Sequence, residues 1–224
     1  MTTRVSFPGK SGAELFAEVA EPRGTDESPA VILLQEYWGL NEHIKEVADR
    51  MALEGFFVVA PDLYHGVVTK DPAEASRLAT ELDTLKAVEE IGAAVAFAAA
   101  HDRSSGKVGV MGFCLGGALA LASACHVPGL SAVVAFYGIP PAEKVDYTKA
   151  TAPIMTHVAT KDRWVTPEKM EGVRKALAGR GHPIEVHLYD ADHGFANDTR
   201  PVYDAASATL AWQRTVAFFR RHLA

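Results

Sequence analysis

Cysteine is scarce in this sequence. Only Cys114 and Cys125 occur among 224 residues, which excludes a disulfide-stapled scaffold. A helix between them would hold their Cα atoms roughly 16 Å apart at about 1.5 Å per residue, far beyond the ~7 Å reach of a disulfide. Both are therefore expected as free thiols in a reducing compartment, with Cys125 serving as core packing. Basic residues are also in deficit: 22 Lys and Arg face 28 Asp and Glu, for a net charge of −6. That balance, with a pI near 5.8, argues against nucleic acid or an anionic membrane as the main partner, because both attract an excess of Lys and Arg. No uncharged run reaches the roughly 18 residues of a membrane span. The opening residues Met-Thr-Thr-Arg-Val-Ser contain no apolar stretch of signal-peptide length. A cytoplasmic protein with a small-molecule partner is expected. Repeats, low-complexity tracts, charge blocks and breaks in composition are absent, so one domain over residues 1–224, acting as a monomer, is the reading.

What is present points to an α/β fold. Hydrophobic residues make up 48% of the chain and charged residues 22%, enough apolar surface for a sizeable core. Arg4 to Phe7 and Leu15 to Val19, separated by Gly9-Lys-Ser-Gly12, suggest an opening hairpin. After a polar turn from Glu21 to Pro29, Ala30 to Leu34 is a continuous apolar run, the sign of a strand buried on both faces. Asn41 is placed to cap a helix carrying Ile44, Val47, Ala48, Met51 and Ala52, which Gly55 closes. Phe56 to Ala60 reads as the next strand and 62–70 as a loop. Asp71-Pro72 opens a helix towards Leu82, and a longer one covers Leu85 to Ala100. Ser131 to Phe136, an apolar run, Pro153 to Val158 and Ile184 to Tyr189 read as further strands, with a surface excursion from Pro140 to Thr151. Thr166-Pro167 opens a helix to about Ala178, and a terminal helix is expected from about Pro201 to His222. Buried strands alternating with helices give a mostly parallel central sheet with helices on both faces. Ligands in such sheets bind at the carboxyl ends of the strands.

The stretch Val108-Gly-Val-Met-Gly-Phe-Cys-Leu-Gly-Gly117 reads as a strand, a sharp turn carrying Cys114, and a helix. Gly112-x-Cys114-x-Gly116 is a nucleophile elbow with sulfur in place of oxygen. Glycine belongs on both sides because a side chain there would collide with the neighbouring strand and helix. The competing reading is a buried cysteine beside a glycine-rich turn. A thiol nucleophile needs a base, and the base needs an acid to fix its tautomer. On α/β-hydrolase folds these follow in the order nucleophile, acid, histidine. The chain offers Cys114, Asp162 and His193 in that order, the last two just beyond strands. Asp190 and Asp192 are close to the same histidine and compete for the acid role, and aspartate also occurs in turns for purely local reasons. A metal reading on His187, Asp190, Asp192 and His193 lacks a recognised ligand spacing.

Taken together, Gln35-Glu36-Tyr37-Trp38-Gly39, Ala60-Pro61-Asp62-Leu63-Tyr64, Gly112-Phe113-Cys114-Leu115-Gly116-Gly117, Asp162 and His193-Gly194-Phe195 resemble the dienelactone hydrolases, over nearly the whole chain. The resemblance implies a Cys114 nucleophile, a His193 general base and an Asp162 orienting acid, with no cofactor. It also implies a carboxylate at Glu36 that contacts the resting thiol and helps form the thiolate when substrate arrives. The fold supplies one oxyanion donor from the Leu115 amide, and the resemblance puts the second at the Tyr37 amide. Tyr37 and Trp38 are expected to line the pocket or to pack under the rim of the sheet.

The family's carboxylate-binding arginines are missing. Asn197 stands at one position, and near the other the only arginine is Arg77, which does not align convincingly. Arg200, three residues on, is the candidate substitute, against the plainer reading of an exposed arginine at a helix start. The implied activity is hydrolysis of a carboxylic ester or lactone through a thioester, with a broader esterase for neutral esters as the alternative. A redox-active thiol protein and a non-catalytic binding protein on a hydrolase fold are the readings from other classes. Cys125 is badly placed as a resolving thiol for the first, and fold alone does not exclude the second.

Overall fold

A computed structural model of the chain describes residues 1–10, 12–24, 26–178 and 184–224; Ser11 and Thr25, within the first two expected turns, lie outside them. The opening apolar runs pair as an antiparallel hairpin, β1 (Thr3–Pro8) and β2 (Glu14–Ala20). Six further strands follow: β3 (Ser28–Leu34), β4 (Phe57–Pro61), β5 (Ser104–Phe113), β6 (Ala132–Phe136), β7 (Ile154–Ala159) and β8 (Ile184–Tyr189). They join one sheet in the order β1-β2-β4-β3-β5-β6-β7-β8. β2 runs antiparallel to β4, and every pairing from β4 through β8 is parallel.

The unbroken apolar runs are the strands at the centre, and the pleat divides each of them between two cores. Ala30, Ile32 and Leu34 face one side, with α3 (Thr84–Ala100), α4 (Leu115–His126) and α5 (Pro167–Leu177). Val31 and Leu33 face the other, with α1 (Glu42–Leu53) and α6 (Ala205–His222). Each fully buried Val, Leu or Ile contributes roughly 1.5–3 kcal/mol, so these two cores fix the register that carries the strand ends.

Helix starts follow their caps. Asn41 accepts from the Ile44 amide at 3.2 Å, and Asp71 accepts from the Ala73 amide at 2.7 Å ahead of α2 (Pro72–Glu81). The last helix begins at Ala205 rather than near Pro201, because Asp204 is its cap and accepts from the Ser207 amide at 2.8 Å. The stretch expected as a surface excursion holds two short 3-10 turns, Ala142–Lys144 and Tyr147–Lys149. It is anchored through Tyr147, which packs on the core, and through buried Ala150. Among the described residues no helix is long and apolar enough to cross a membrane.

Candidate active site

β5 ends at Phe113 and α4 begins at Leu115, leaving Cys114 alone in the turn with φ 53° and ψ −112°. A non-glycine residue there carries a strain of order 1–3 kcal/mol. Packing on all sides enforces it. A Cβ on Gly112 would stand 2.4 Å from the Gly116 carbonyl, and one on Gly116 would stand 2.5 Å from the Leu34 oxygen. The two glycines of the motif are therefore required by close backbone approach. Cys114 is partly exposed and Cys125 buried, and both thiols are free of disulfides. Cys125 turns inward, its Sγ 3.6 Å from the Leu121 carbonyl oxygen.

Asp162 lies three residues past β7, its side chain fully buried. Oδ1 accepts from the Trp164 amide at 2.7 Å and the Val165 amide at 3.0 Å. Oδ2 is thereby aimed at His193, whose Nδ1 lies 2.6 Å away. Burial pushes the Asp162 carboxyl up, but the hydrogen bond to His193, the two amides and the His193 charge outweigh it and hold it below its ordinary value. For His193, burial opposes the charged form. The hydrogen bond to Asp162, then the hydrogen bond and charge of Cys114, overcome burial and raise its pKa to about 10. The imidazole thus sits between an acid and a thiol, with Nε2 left for the thiol. The competing aspartates are elsewhere: Asp190 pairs with Lys161 at 3.1 Å and Asp192 is exposed. His187 turns to Glu185 at 3.5 Å, and among the described residues no group of three or more His, Cys, Asp or Glu is arranged to hold a metal.

Glu36, two residues past β3, is 5% exposed. Its Oε2 accepts from Asn197 Nδ2 at 2.5 Å. Burial raises the carboxyl above its ordinary range against the pull of Asn197 and of the His193 and Arg200 charges. The Tyr37 and Trp38 rings pack on each other, centroids 4.3 Å apart, and the Arg200 guanidinium lies over the Trp38 ring at 4.6 Å. Trp38 and Arg200, singled out separately in the sequence, are thus in contact, Trp38 buried at 6% exposure and Arg200 exposed above it. Arg77 is not brought to them: it is exposed on α2 and pairs with Glu81 at 2.5 Å, so its charge is matched within its own helix.

Three residues at the site were not singled out as functional from the sequence. Tyr137, one past β6, is fully buried with φ 37°, and its ring lies 5.0 Å from that of His193. Its place at a strand end was the available signal. Trp164, 69% exposed, stands edge-on to His193 at 5.1 Å. Asn197, noted only as a missing arginine, is the partner of Glu36. A cavity of about 1310 Å³ lies between α3 and the turn after α4, lined by Phe97, His101 and Pro128.

A family model described as the dienelactone hydrolase family matches residues 15–223. The chain belongs to the dienelactone hydrolase family. It is a member of a hydrolase family with the α/β-hydrolase fold. Similar curated proteins include protein usf of Aquifex pyrophilus, 37% identical with 96% of each chain covered. Carboxymethylenebutenolidase 1 of Cupriavidus pinatubonensis is 32% identical, covering 95% of this chain and 94% of that one. Among solved structures, a dienelactone hydrolase-like promiscuous phosphotriesterase from metagenomic libraries superposes with a TM-score of 0.87 at 25% identity, covering 100% of this chain and 99% of that one. Within this dienelactone hydrolase fold, Glu36, Cys114, Tyr137, Asp162 and His193 come from the carboxyl ends of five different strands.

Proposed function

We propose that this protein hydrolyses carboxylic esters or lactones through a thioester on Cys114. The observation that carries the reading is the 2.6 Å contact of His193 Nδ1 with Asp162, beside a partly exposed Cys114 that helps raise the pKa of the same imidazole. With its proton held on the His193 imidazole, Cys114 attacks the acyl carbon as the thiolate, so that the carbonyl electron pair moves onto oxygen. The Leu115 amide opens α4 and has no acceptor within the helix. It is one donor to that oxyanion, and the Tyr37 amide is the second. Collapse breaks the acyl C–O bond, and His193 returns the proton to the leaving alkoxide.

Water then attacks the thioester and gives its proton to His193. The second collapse breaks the C–S bond, releases the acid and restores the thiol. For a lactone the alkoxide stays tethered to the acyl group, so hydrolysis must outrun ring closure. Asp162 holds the tautomer and stabilises the imidazolium. Glu36 opposes thiolate formation in the resting site by like charge, while Arg200 and the Trp38 beneath it meet substrate.

The test is Cys114→Ala, assayed on 4-nitrophenyl butyrate, with circular dichroism to confirm the fold. A fall in kcat of about a thousandfold or more is expected for loss of a nucleophile, together with loss of the acyl adduct in intact-mass spectra. Turnover that survives the substitution sinks the mechanism.

A further inference from the structure

Asn197 is 2% exposed, and both ends of its carboxamide are engaged. Oδ1 accepts from the Thr199 amide at 3.0 Å and from the Thr199 hydroxyl at 2.6 Å. Since an amide oxygen only accepts and an amide nitrogen only donates, these two donors fix the orientation and turn Nδ2 onto Glu36. The backbone around it is tied as well. The Asn197 amide donates to the Gly194 carbonyl at 3.0 Å, and the Arg200 amide donates to the Asn197 carbonyl at 3.1 Å. Next to it, Asp198 pairs with buried His43 of α1 at 3.2 Å. The donor to Glu36 is therefore set before any substrate enters.

That donor is neutral. It satisfies one oxygen of a buried carboxylate without adding positive charge. Two cations act on Glu36 through charge alone, His193 and Arg200. The first is already matched by Asp162, and the second stands exposed over Trp38. With Glu36 ionised, the form that the Asn197 donor favours, a substrate carboxylate brought beside it would meet a like charge where water is largely excluded, which is a strongly unfavourable arrangement. An uncharged acyl group meets no such opposition. Discrimination of this kind comes from a repulsive element as much as from an attractive one.

We infer that Asn197 is a positioning residue that fixes Glu36 beside the Cys114–His193 pair and thereby makes the site selective for uncharged esters over esters whose acyl chain ends in a carboxylate. The inference rests on the proposal that Cys114 attacks esters. It names the substrate class of that same site.

The experiment compares two esters of one leaving group and similar acyl length, 4-nitrophenyl butyrate and the 4-nitrophenyl monoester of succinic acid. The proteins are wild type, Asn197→Asp, Asn197→Ala and Cys114→Ala, each checked for folding by circular dichroism. Wild type is expected to favour the butyrate in kcat/KM by about tenfold or more, the scale of a modest specificity difference. Asn197→Asp keeps the side-chain shape and sets a second carboxyl against Glu36, so at pH values high enough for both to ionise the added negative charge should widen that ratio. It should also move the pH midpoint of iodoacetamide alkylation of Cys114 upward. Asn197→Ala frees Glu36 and should move the same midpoint without the added charge. Equal turnover of the two esters by wild type overturns the inference. So does a folded Asn197→Asp or Asn197→Ala protein with the wild-type pH profile and substrate ratio. If Cys114→Ala is inactive while the Asn197 variants match wild type, this inference fails alone. If Cys114→Ala retains turnover, the mechanism beneath it fails.

Discussion

At the scale of single residues, the same burial that shapes the site leaves it costly. Glu36 is the clearest case. Its folded pKa lies above the ordinary value of 4.5 because burial disfavours the charge. Between those two values the folded chain binds more protons than the unfolded chain. The stabilising contribution is therefore complete below pH 4.5 and is lost as pH rises through the folded value. Glu36→Gln should accordingly raise the melting temperature at pH 8 by a few degrees, with the gain shrinking as pH falls towards 4.5, while the rate of iodoacetamide alkylation of Cys114 increases. A melting temperature unchanged or lowered at pH 8 contradicts this account. Cys114, Asp162 and His193 were legible in the sequence because each lies within four residues of the end of an expected strand, and Glu36 because the family resemblance pointed to it. Asn197 was not legible as the partner of Glu36, since the two are 161 residues apart and no local pattern links them.

At the scale of elements, local chemistry sets most boundaries and close approach sets the rest. Asp83 caps α3 by accepting from the Leu85 amide at 2.9 Å and the Lys86 amide at 3.3 Å. Asp83→Ala should lower the urea midpoint of unfolding by removing the cap and leave the rate on 4-nitrophenyl butyrate unchanged. Gly116 is different in kind. An added Cβ would lie 2.5 Å from the Leu34 oxygen and 2.6 Å from the Gln35 oxygen, both backbone. Because backbone cannot move aside cheaply, Gly116→Ala should destabilise by roughly 1–3 kcal/mol, the range for forced overpacking. It should also cost activity, by displacing the elbow from the loop that carries Glu36. Full activity in a Gly116→Ala protein would show that the elbow tolerates a shift. Caps and apolar runs are visible in sequence because they act over three or four residues. The start of α6 was misplaced by a few residues because Pro201 offered a start signal. The tertiary contact of the Asp204 amide with the Phe195 carbonyl at 3.0 Å instead holds that segment as a turn.

For the whole molecule, pH stability is set by histidines pulled in opposite directions. His157 is fully buried, held by the Tyr189 hydroxyl at 2.8 Å and the Thr215 hydroxyl at 3.0 Å. Burial first, and then His187 and Arg214, hold its pKa well below 6.5. With its folded value depressed, the unfolded chain binds more protons below pH 6.5, so stability is lost as pH falls through that window. His193, raised to about 10, contributes stability that is complete below 6.5 and is lost as pH rises towards 10. Unfolding free energy should therefore peak near neutrality. His157→Gln should flatten the acid limb between pH 6.5 and 4.5 by up to about 1.4 kcal/mol per pH unit, measured by urea unfolding across that range. An acid limb of unchanged slope removes His157 as its cause.

The sequence by itself determined the α/β class, the alternation of strands and helices, the elbow and the order of its partners. Each of these rests on short-range periodicity, capping or backbone sterics. Only the tertiary structure decided that Arg200 lies over Trp38 while Arg77 stays on its own helix, and that Asn197 holds Glu36. Those choices depend on which strand ends the sheet order makes neighbours, and a parallel sheet brings together residues whose separation along the chain carries no local signal.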